Sequence, residues 1–256
     1  MTSTETGPDT TTAEITIVGH RGAMTHALEN TITAFQLAEQ AGCPEIELDL
    51  RPTADGRIVV IHDATMDRLV ADEADRGIGK VAEMTLAQIQ QVPLRDGHRL
   101  HTFDEVCEAT TARLEVEIKD PAVMPLLARF LEDRPDVVAR MRLTSFRAEA
   151  LVQARELLPQ IPRGMIVHRL PVEDKHPEGL DSLLERTGAS ALLCGWEGLT
   201  AEAVEAQHTA GRRVHGWPLR TPEQMTHALE IGVDGTTADD PQAAFEWYAQ
   251  ARAGQG

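Results

Sequence analysis

Strand-like and helix-like segments alternate from one end of this 256-residue chain to the other, and that alternation limits the fold more than any other feature. Residues 15–19 (ITIVG) are a short β-branched apolar run, suited to a buried strand. Residues 30–41 follow, with Ile32, Phe35 and Ala38 at helical spacing. The strand-like runs 45–50 and 57–62 are separated by Thr53-Ala54-Asp55-Gly56, and Asp-Gly between two such runs signals a hairpin. Further strands are expected at 113–119, 141–145, 164–168, 189–194, 213–217 and 233–237, each followed by a helical stretch. Counting 45–62 as one hairpin-bearing unit gives eight strand–helix units. Repeated β-then-α units dictate a parallel sheet. Eight of them predict an α/β chain closed into a (β/α)8 TIM barrel, with an open doubly wound sheet as the alternative. No G-x-G-x-x-G follows the first strand, which argues against the dinucleotide-binding form of the open sheet.

Residues 63–101 break the rhythm. They are loop-rich, with one short helix expected near 85–91, and too short and polar to own a core. They are read as a small insertion after the second strand, within one domain spanning 15–251. Residues 1–14 are Thr-rich with no apolar run, so a disordered tail rather than a signal peptide is expected there.

Composition narrows the function. The 41 acids against 24 Lys and Arg give a net charge of −17, which disfavours nucleic acid and anionic membrane surfaces as partners. No run of apolar residues is long enough for a membrane span, so no stable membrane insertion is expected. Cys43, Cys107 and Cys194 are odd in number and form no CxxC pair, which suggests a reducing, cytoplasmic setting. No interface signal is visible, although barrels often form a homodimer.

In a barrel, functional side chains gather at the C-terminal ends of the strands. His20 and Arg21 end the first expected strand. Glu47 and Asp49 share one face of the second, because side chains alternate with period two. His62 and Asp63 end the return strand of the hairpin, and Glu117 and Lys119 end the next strand. Ser145, His168 and Trp217 end later ones. Each has a plainer reading: a structural histidine, Glu47 or Asp49 paired with Arg51 or Arg57 on a solvated face, or a simple Glu117–Lys119 ion pair. Together on one rim they suggest chemistry. Three carboxylates in one small volume require a cation or a proton. Oxygen ligands favour a hard divalent ion, Mg²⁺ or Ca²⁺. Two histidines suit general acid–base transfer, and Arg21 and Lys119 suit a phosphate oxyanion.

The run Gly19-His20-Arg21-Gly22, then Glu29-Asn30-Thr31, Glu47-x-Asp49, Asp55-Gly56 and His62-Asp63, resembles the glycerophosphodiester phosphodiesterases. Arg68, the segment Thr102-Phe103-Asp104-Glu105-Val106, Glu117-Ile118-Lys119, Ser145-Phe146 and the stretch from Gly232 to Asp239-Asp240-Pro241 extend the match over nearly the whole chain. The resemblance implies a barrel with an insertion after the second strand. It implies metal-dependent hydrolysis of glycerophosphodiesters to sn-glycerol 3-phosphate and an alcohol. Glu47, Asp49 and Glu117 would be the metal ligands and His20 and His62 the acid–base pair. Arg21 and Lys119 would hold phosphate, with Lys119 and Trp217 near the glycerol end. Leu28, Pro218, Arg220 and Ala238 depart from the family pattern, and Arg220 on the rim suggests a more anionic leaving group. The alternatives are a lysophospholipase D-type or cyclising phosphodiesterase, with Leu69, Val70, Ile78 and Val81 of the insertion gripping an acyl chain, and a non-catalytic glycerophosphodiester-binding protein.

Overall fold

The computed structural model describes residues 14–254, so the expected tail lies, but for Glu14, outside the described residues. Nine strands form one sheet: β1 (Thr16–Gly19), β2 (Glu45–Pro52), β3 (Ile58–Val60), β4 (Arg113–Ile118), β5 (Met141–Ser145), β6 (Arg163–Val167), β7 (Ala191–Gly195), β8 (Arg213–Leu219) and β9 (Gly235–Ala238). Eight of them are parallel and close on themselves, β1 pairing with both β2 and β9. The strand β3 runs antiparallel to the far end of β2 and stays outside the barrel, so the hairpin signal at Asp55-Gly56 and the barrel are both present. The open-sheet alternative is excluded by this closure.

The strand faces sort by chemistry. On β2 and β4 the outward residues Ile46, Leu48, Leu50, Leu114, Val116 and Ile118 are fully buried against the surrounding helices. Each such side chain contributes about 1.5–3 kcal/mol of burial free energy. The inward residues of the same strands are Glu45, Glu47, Asp49, Glu115 and Glu117, and Arg142 and His215 join them as buried polar groups. Arg142 donates to Glu45 and, at 2.6 Å, to Glu115. This pairing is what lets a charged layer sit inside the barrel. Glycine makes room at one level: a Cβ on Gly235 would lie 2.7 Å from the His215 ring.

Helices begin where the strands deliver the chain to the rim. Thr31 caps the helix Ile32–Gln40, Thr102 forms a capping box with Glu105 on Phe103–Ala109, and Asp240 caps Pro241–Ala253. Each cap oxygen accepts from a first-turn amide that would otherwise be unpaired. The insertion packs through a small apolar cluster that it shares with the rim residue Leu28 and with Val59 and Ile61 of the hairpin. Its own share includes Met66, Leu69, Val70 and Val81, and its short helix is Leu86–Ile89. Leu69, Val70 and Val81 are therefore spent on packing, and only Ile78 of the four proposed acyl contacts is exposed.

Candidate active site

The register of β2 against β4 sets the site. Asp49 pairs with Glu117 and Glu47 with Glu115, so four carboxylates point into one end of the barrel at two levels. Ligand oxygens of Glu47, Asp49 and Glu117 all lie within 4.8 Å of one another, and all three residues are buried. The solvated-face reading of Glu47 and Asp49 therefore fails. Arg51 instead turns back along the hairpin, donating from Nε and Nη2 to the His62 carbonyl at 2.9 and 2.8 Å.

The carboxylates divide electrostatically. Burial, then Asp49 and Glu117, push the Glu47 carboxyl well above its usual range. Burial raises Glu117 to about 7, against the pull of Lys119. Burial also opposes ionisation of Asp49, but Lys119 and Arg21 outweigh it, with help from His62 and Asn30, and hold it at about 2. Lys119 Nζ stands 2.6 Å from Glu117 Oε1 and 3.2 Å from Asp49 Oδ1, so the predicted ion pair exists as part of a larger cluster. Asp49 Oδ1 nonetheless accepts no hydrogen bond from the described residues. A buried carboxylate oxygen with an open lone pair, among two neighbours that favour protonation, fits a hard cation.

Short local motifs hold this arrangement. Gly22 takes φ +81 where a Cβ would stand 2.4 Å from the Ala34 backbone, so the turn after His20-Arg21 requires glycine. That turn aims the Arg21 amide at Glu47 Oε2, 2.9 Å away. Glu29 accepts from Arg21 Nη1 at 3.0 Å and from Arg68 Nη2 at 2.7 Å, tying the insertion to the rim. Asn30 donates to Asp49 Oδ2 at 2.7 Å.

Both histidines are oriented alike. Nδ1 of His20 meets Asp239 Oδ1 at 2.5 Å, and Arg220 Nε meets Asp239 Oδ2 at 2.5 Å. Nδ1 of His62 meets Asp63 Oδ1 at 2.7 Å, and Arg68 Nε meets Asp63 Oδ2 at 2.8 Å. A carboxylate on Nδ1 fixes the tautomer that leaves Nε2 as the working nitrogen. Burial, and the nearby Lys119 and Arg21, lower the His62 pKa against the pull of Asp49.

His20, Arg21, Glu47, His62, Glu117, Lys119 and Trp217 line one pocket of about 220 Å³, which also takes in Glu115, Phe146, His168 and Arg220. Its far wall is aromatic: Phe146 stacks on His168 at 4.5 Å and meets Trp217 edge-on at 5.3 Å. The pairing of β8 with β9 is irregular between Gly216 and Leu219, the stretch that carries Trp217. Its indole Nε1 is buried and finds no acceptor among the described residues. Ser145 is not part of the site; its hydroxyl donates to the Ile118 carbonyl at 2.7 Å.

The sequence pattern of the glycerophosphoryl diester phosphodiesterase family matches residues 20–243. The chain belongs to that family. A glycerophosphodiester phosphodiesterase of Caldanaerobacter subterraneus subsp. tengcongensis is 29% identical over 241 residues, covering 88% of this chain and 94% of its own length. The glycerophosphodiester phosphodiesterase of Agrobacterium tumefaciens superposes with a TM-score of 0.73 at 27% identity, over 94% of this chain and 100% of its own. A phosphodiesterase of Oleispira antarctica, solved with its product sn-glycerol-3-phosphate, superposes with a TM-score of 0.81 at 22% identity, over 93% of this chain and 97% of its own. The family is one of phosphoric diester hydrolases, and the fold is theirs.

The departures from the family pattern now have places. Leu28 packs in the apolar cluster it shares with the insertion, and the Ala238 carbonyl accepts from the His20 amide at 2.9 Å. The roles of Asp239, Asp63, Arg68 and Arg51 escape a reading of strand ends alone. Asp239 lies 219 residues from His20, and only the closure of β1 on β9 joins them.

Proposed function

We propose that this protein hydrolyses glycerophosphodiesters to sn-glycerol 3-phosphate and an alcohol, with one divalent cation, Mg²⁺ or Ca²⁺, held by Glu47, Asp49 and Glu117. The observation that carries this is a pocket lined by Glu47 and Glu117, with Asp49 buried beside them, two carboxylate-oriented histidines and two cationic side chains. The same assignment is supported by the family match and by the sn-glycerol-3-phosphate found on the Oleispira antarctica relative. When bound, the cation supplies positive charge to the phosphate and neutralises its ligands. Arg21 and Lys119 bind the phosphate oxygens and hold the diester in place. Nε2 of one histidine takes a proton from the attacking water, and Nε2 of the other gives one to the departing alkoxide. Asp239 and Asp63 stabilise whichever ring carries the extra proton. Trp217 and Phe146 cover the apolar side of the glycerol carbons.

The test is a panel of glycerophosphodiesters and lysophospholipids assayed with Mg²⁺, Ca²⁺ or a chelator, with products identified by phosphorus NMR. Open glycerol phosphate formed only with metal is the expected result. A cyclic phosphate would move the assignment to the cyclising alternative, and tight binding without product to a binding protein.

A further inference from the structure

The catalytic pocket has a neighbour. A cleft of about 340 Å³ opens beside it, and the two share Phe146, Ile166 and His168. Its floor is apolar, from Ile166, Val167 and Val172, and its outer wall is the segment that follows β6. Within it, Arg169 is clamped between Asp174 and Glu197, 3.1 Å from each. His168 is disfavoured as a cation by burial, then by Lys175 and Lys119, so it lines the passage as a neutral ring stacked on Phe146. Lys175 also lines the cleft and forms no ion pair among the described residues; its charge acts on its neighbour Asp174, whose first partner is Arg169.

From this arrangement we propose that the cleft is a second subsite of the same active site, selecting diesters that carry a second anionic group, with Lys175 as its partner. The inference rests on the hydrolase reading above. Lys119, which grips the phosphate in that reading, stands 5.7 Å from the centre of the Phe146 ring. An arm of the substrate leaving the phosphate along Phe146 therefore enters the cleft directly. Its carbon chain meets the apolar floor and its charge meets the Lys175 ammonium, which forms no ion pair among the described residues. A cationic arm such as choline would face Lys175, while Arg169 is already balanced by Asp174 and Glu197. The net charge of −17 does not reverse this, because at physiological salt charges beyond about 8 Å are largely screened and the nearest groups decide. Arg220, the residue expected to select an anionic leaving group, lines the catalytic pocket and also pairs with Asp239, whereas Lys175 forms no ion pair among the described residues.

A carboxylate on either half of the diester would satisfy the same ammonium, and matched substrates separate the two sources. The glycerophosphodiester of 3-hydroxypropionate carries the anion on the alcohol. The 1,3-propanediol ester of 3-phosphoglycerate carries it on the glycerol side. The glycerophosphodiester of 1,3-propanediol is the neutral reference and glycerophosphocholine the cationic one. Wild-type enzyme is expected to favour one anionic substrate over the neutral one in kcat/KM through a lower KM. Lys175→Met removes that preference by about two- to fivefold, the range of a solvent-exposed ion pair, and leaves the neutral substrate unchanged. Lys175→Glu inverts the preference. Lys175 is exposed, so neither change threatens folding. An anionic-to-neutral ratio that is the same in wild type and Lys175→Met overturns the proposal. Calorimetric binding of the same four compounds to wild type and Lys175→Met reads the subsite independently of turnover. Charge-dependent binding without hydrolysis would sink the hydrolase reading and keep the subsite, and hydrolysis without charge dependence would do the reverse.

Discussion

His20 and Asp239 meet across the closure of the barrel, with Nδ1 2.5 Å from Oδ1, and Arg220 holds the other oxygen of the same carboxylate. Burial opposes ionisation of Asp239, yet the hydrogen bond from His20 and the pair with Arg220 lower its pKa. The acid is thus a fixed anion whose position sets the tautomer of His20.

Asp239→Asn offers Nδ1 an amide that can present its NH₂ group and reverse the tautomer. The expected result is a fall in kcat of about 10–10², below the 10²–10⁴ available to the whole acid–base step, with KM little changed. Arg220→Met is expected to cost only about two- to fivefold in kcat, because the guanidinium is largely exposed. Arg220→Lys should recover most of it. Steady-state kinetics with unchanged circular dichroism would check the series, and an Asp239→Asn enzyme of normal kcat would remove Asp239 from the mechanism.

His20→Ala and His62→Ala are each expected to lower kcat by about 10²–10⁴. Arg51→Met tests the support of the second histidine. Arg51 spans the β2–β3 hairpin to donate twice to the His62 carbonyl, so its loss lets the histidine backbone drift. A kcat loss of about tenfold is expected, since small displacements of a working group cost up to about 10². A normal rate with Arg51→Met would show that the hairpin alone fixes His62.

Much of this was legible in the sequence because it is written in local spacing. Period-two acids on 45–49 and 115–117 declare an inward face, and the hairpin and the alternation declare the barrel. What the spacing does not carry is partner choice across the closed sheet. Arg51 is a candidate partner for Asp49 in the sequence and serves His62, while Arg220, on the pocket lining, also holds Asp239, a partner that no spacing announces. Long side chains reach several positions from one Cα, and only the three-dimensional arrangement selects among them. The apolar residues of the insertion are ambiguous for the same reason, since gripping an acyl chain and packing a small core need the same composition.

The carboxylate trio makes stability and metal binding depend on pH in opposite senses. Glu117 is raised from 4.5 to about 7 and Glu47 is also raised, so between those values the folded state binds more protons than the unfolded. Without metal, this contribution to stability is present below about pH 4.5 and is lost as pH rises through about 7. A cation needs the ionised oxygens, so its affinity rises over the same window. The increase in Tm on adding Mg²⁺ or Ca²⁺ is expected to be larger near pH 8 than near pH 5.5, and a chelator should abolish it. A metal-induced shift of equal size at both pH values, or none, would count against Glu47, Asp49 and Glu117 as ligands. Glu117→Gln should remove most of the shift.

One level deeper in the barrel, Arg142 holds Glu45 and Glu115, and all three are buried. Arg142→Met deletes the cation and leaves two buried acids facing each other, and removing one partner of such a cluster costs about 3–5 kcal/mol. The loss should itself depend on pH. Glu115 is already raised to about 7, burial outweighing the pull of Arg142, and losing Arg142 raises it further. A proton on Glu115 neutralises half of the uncompensated pair, so the variant binds more protons folded than unfolded over a wider range than the wild type does. Its stability therefore falls more steeply with rising pH. Denaturant unfolding at about pH 5 and about pH 8 should show the smaller loss at the lower value. The added substitutions Glu45→Gln and Glu115→Gln should restore stability at the higher one by removing the charges that Arg142 balances. If the loss is the same at both values, the layer is held by shape rather than by charge.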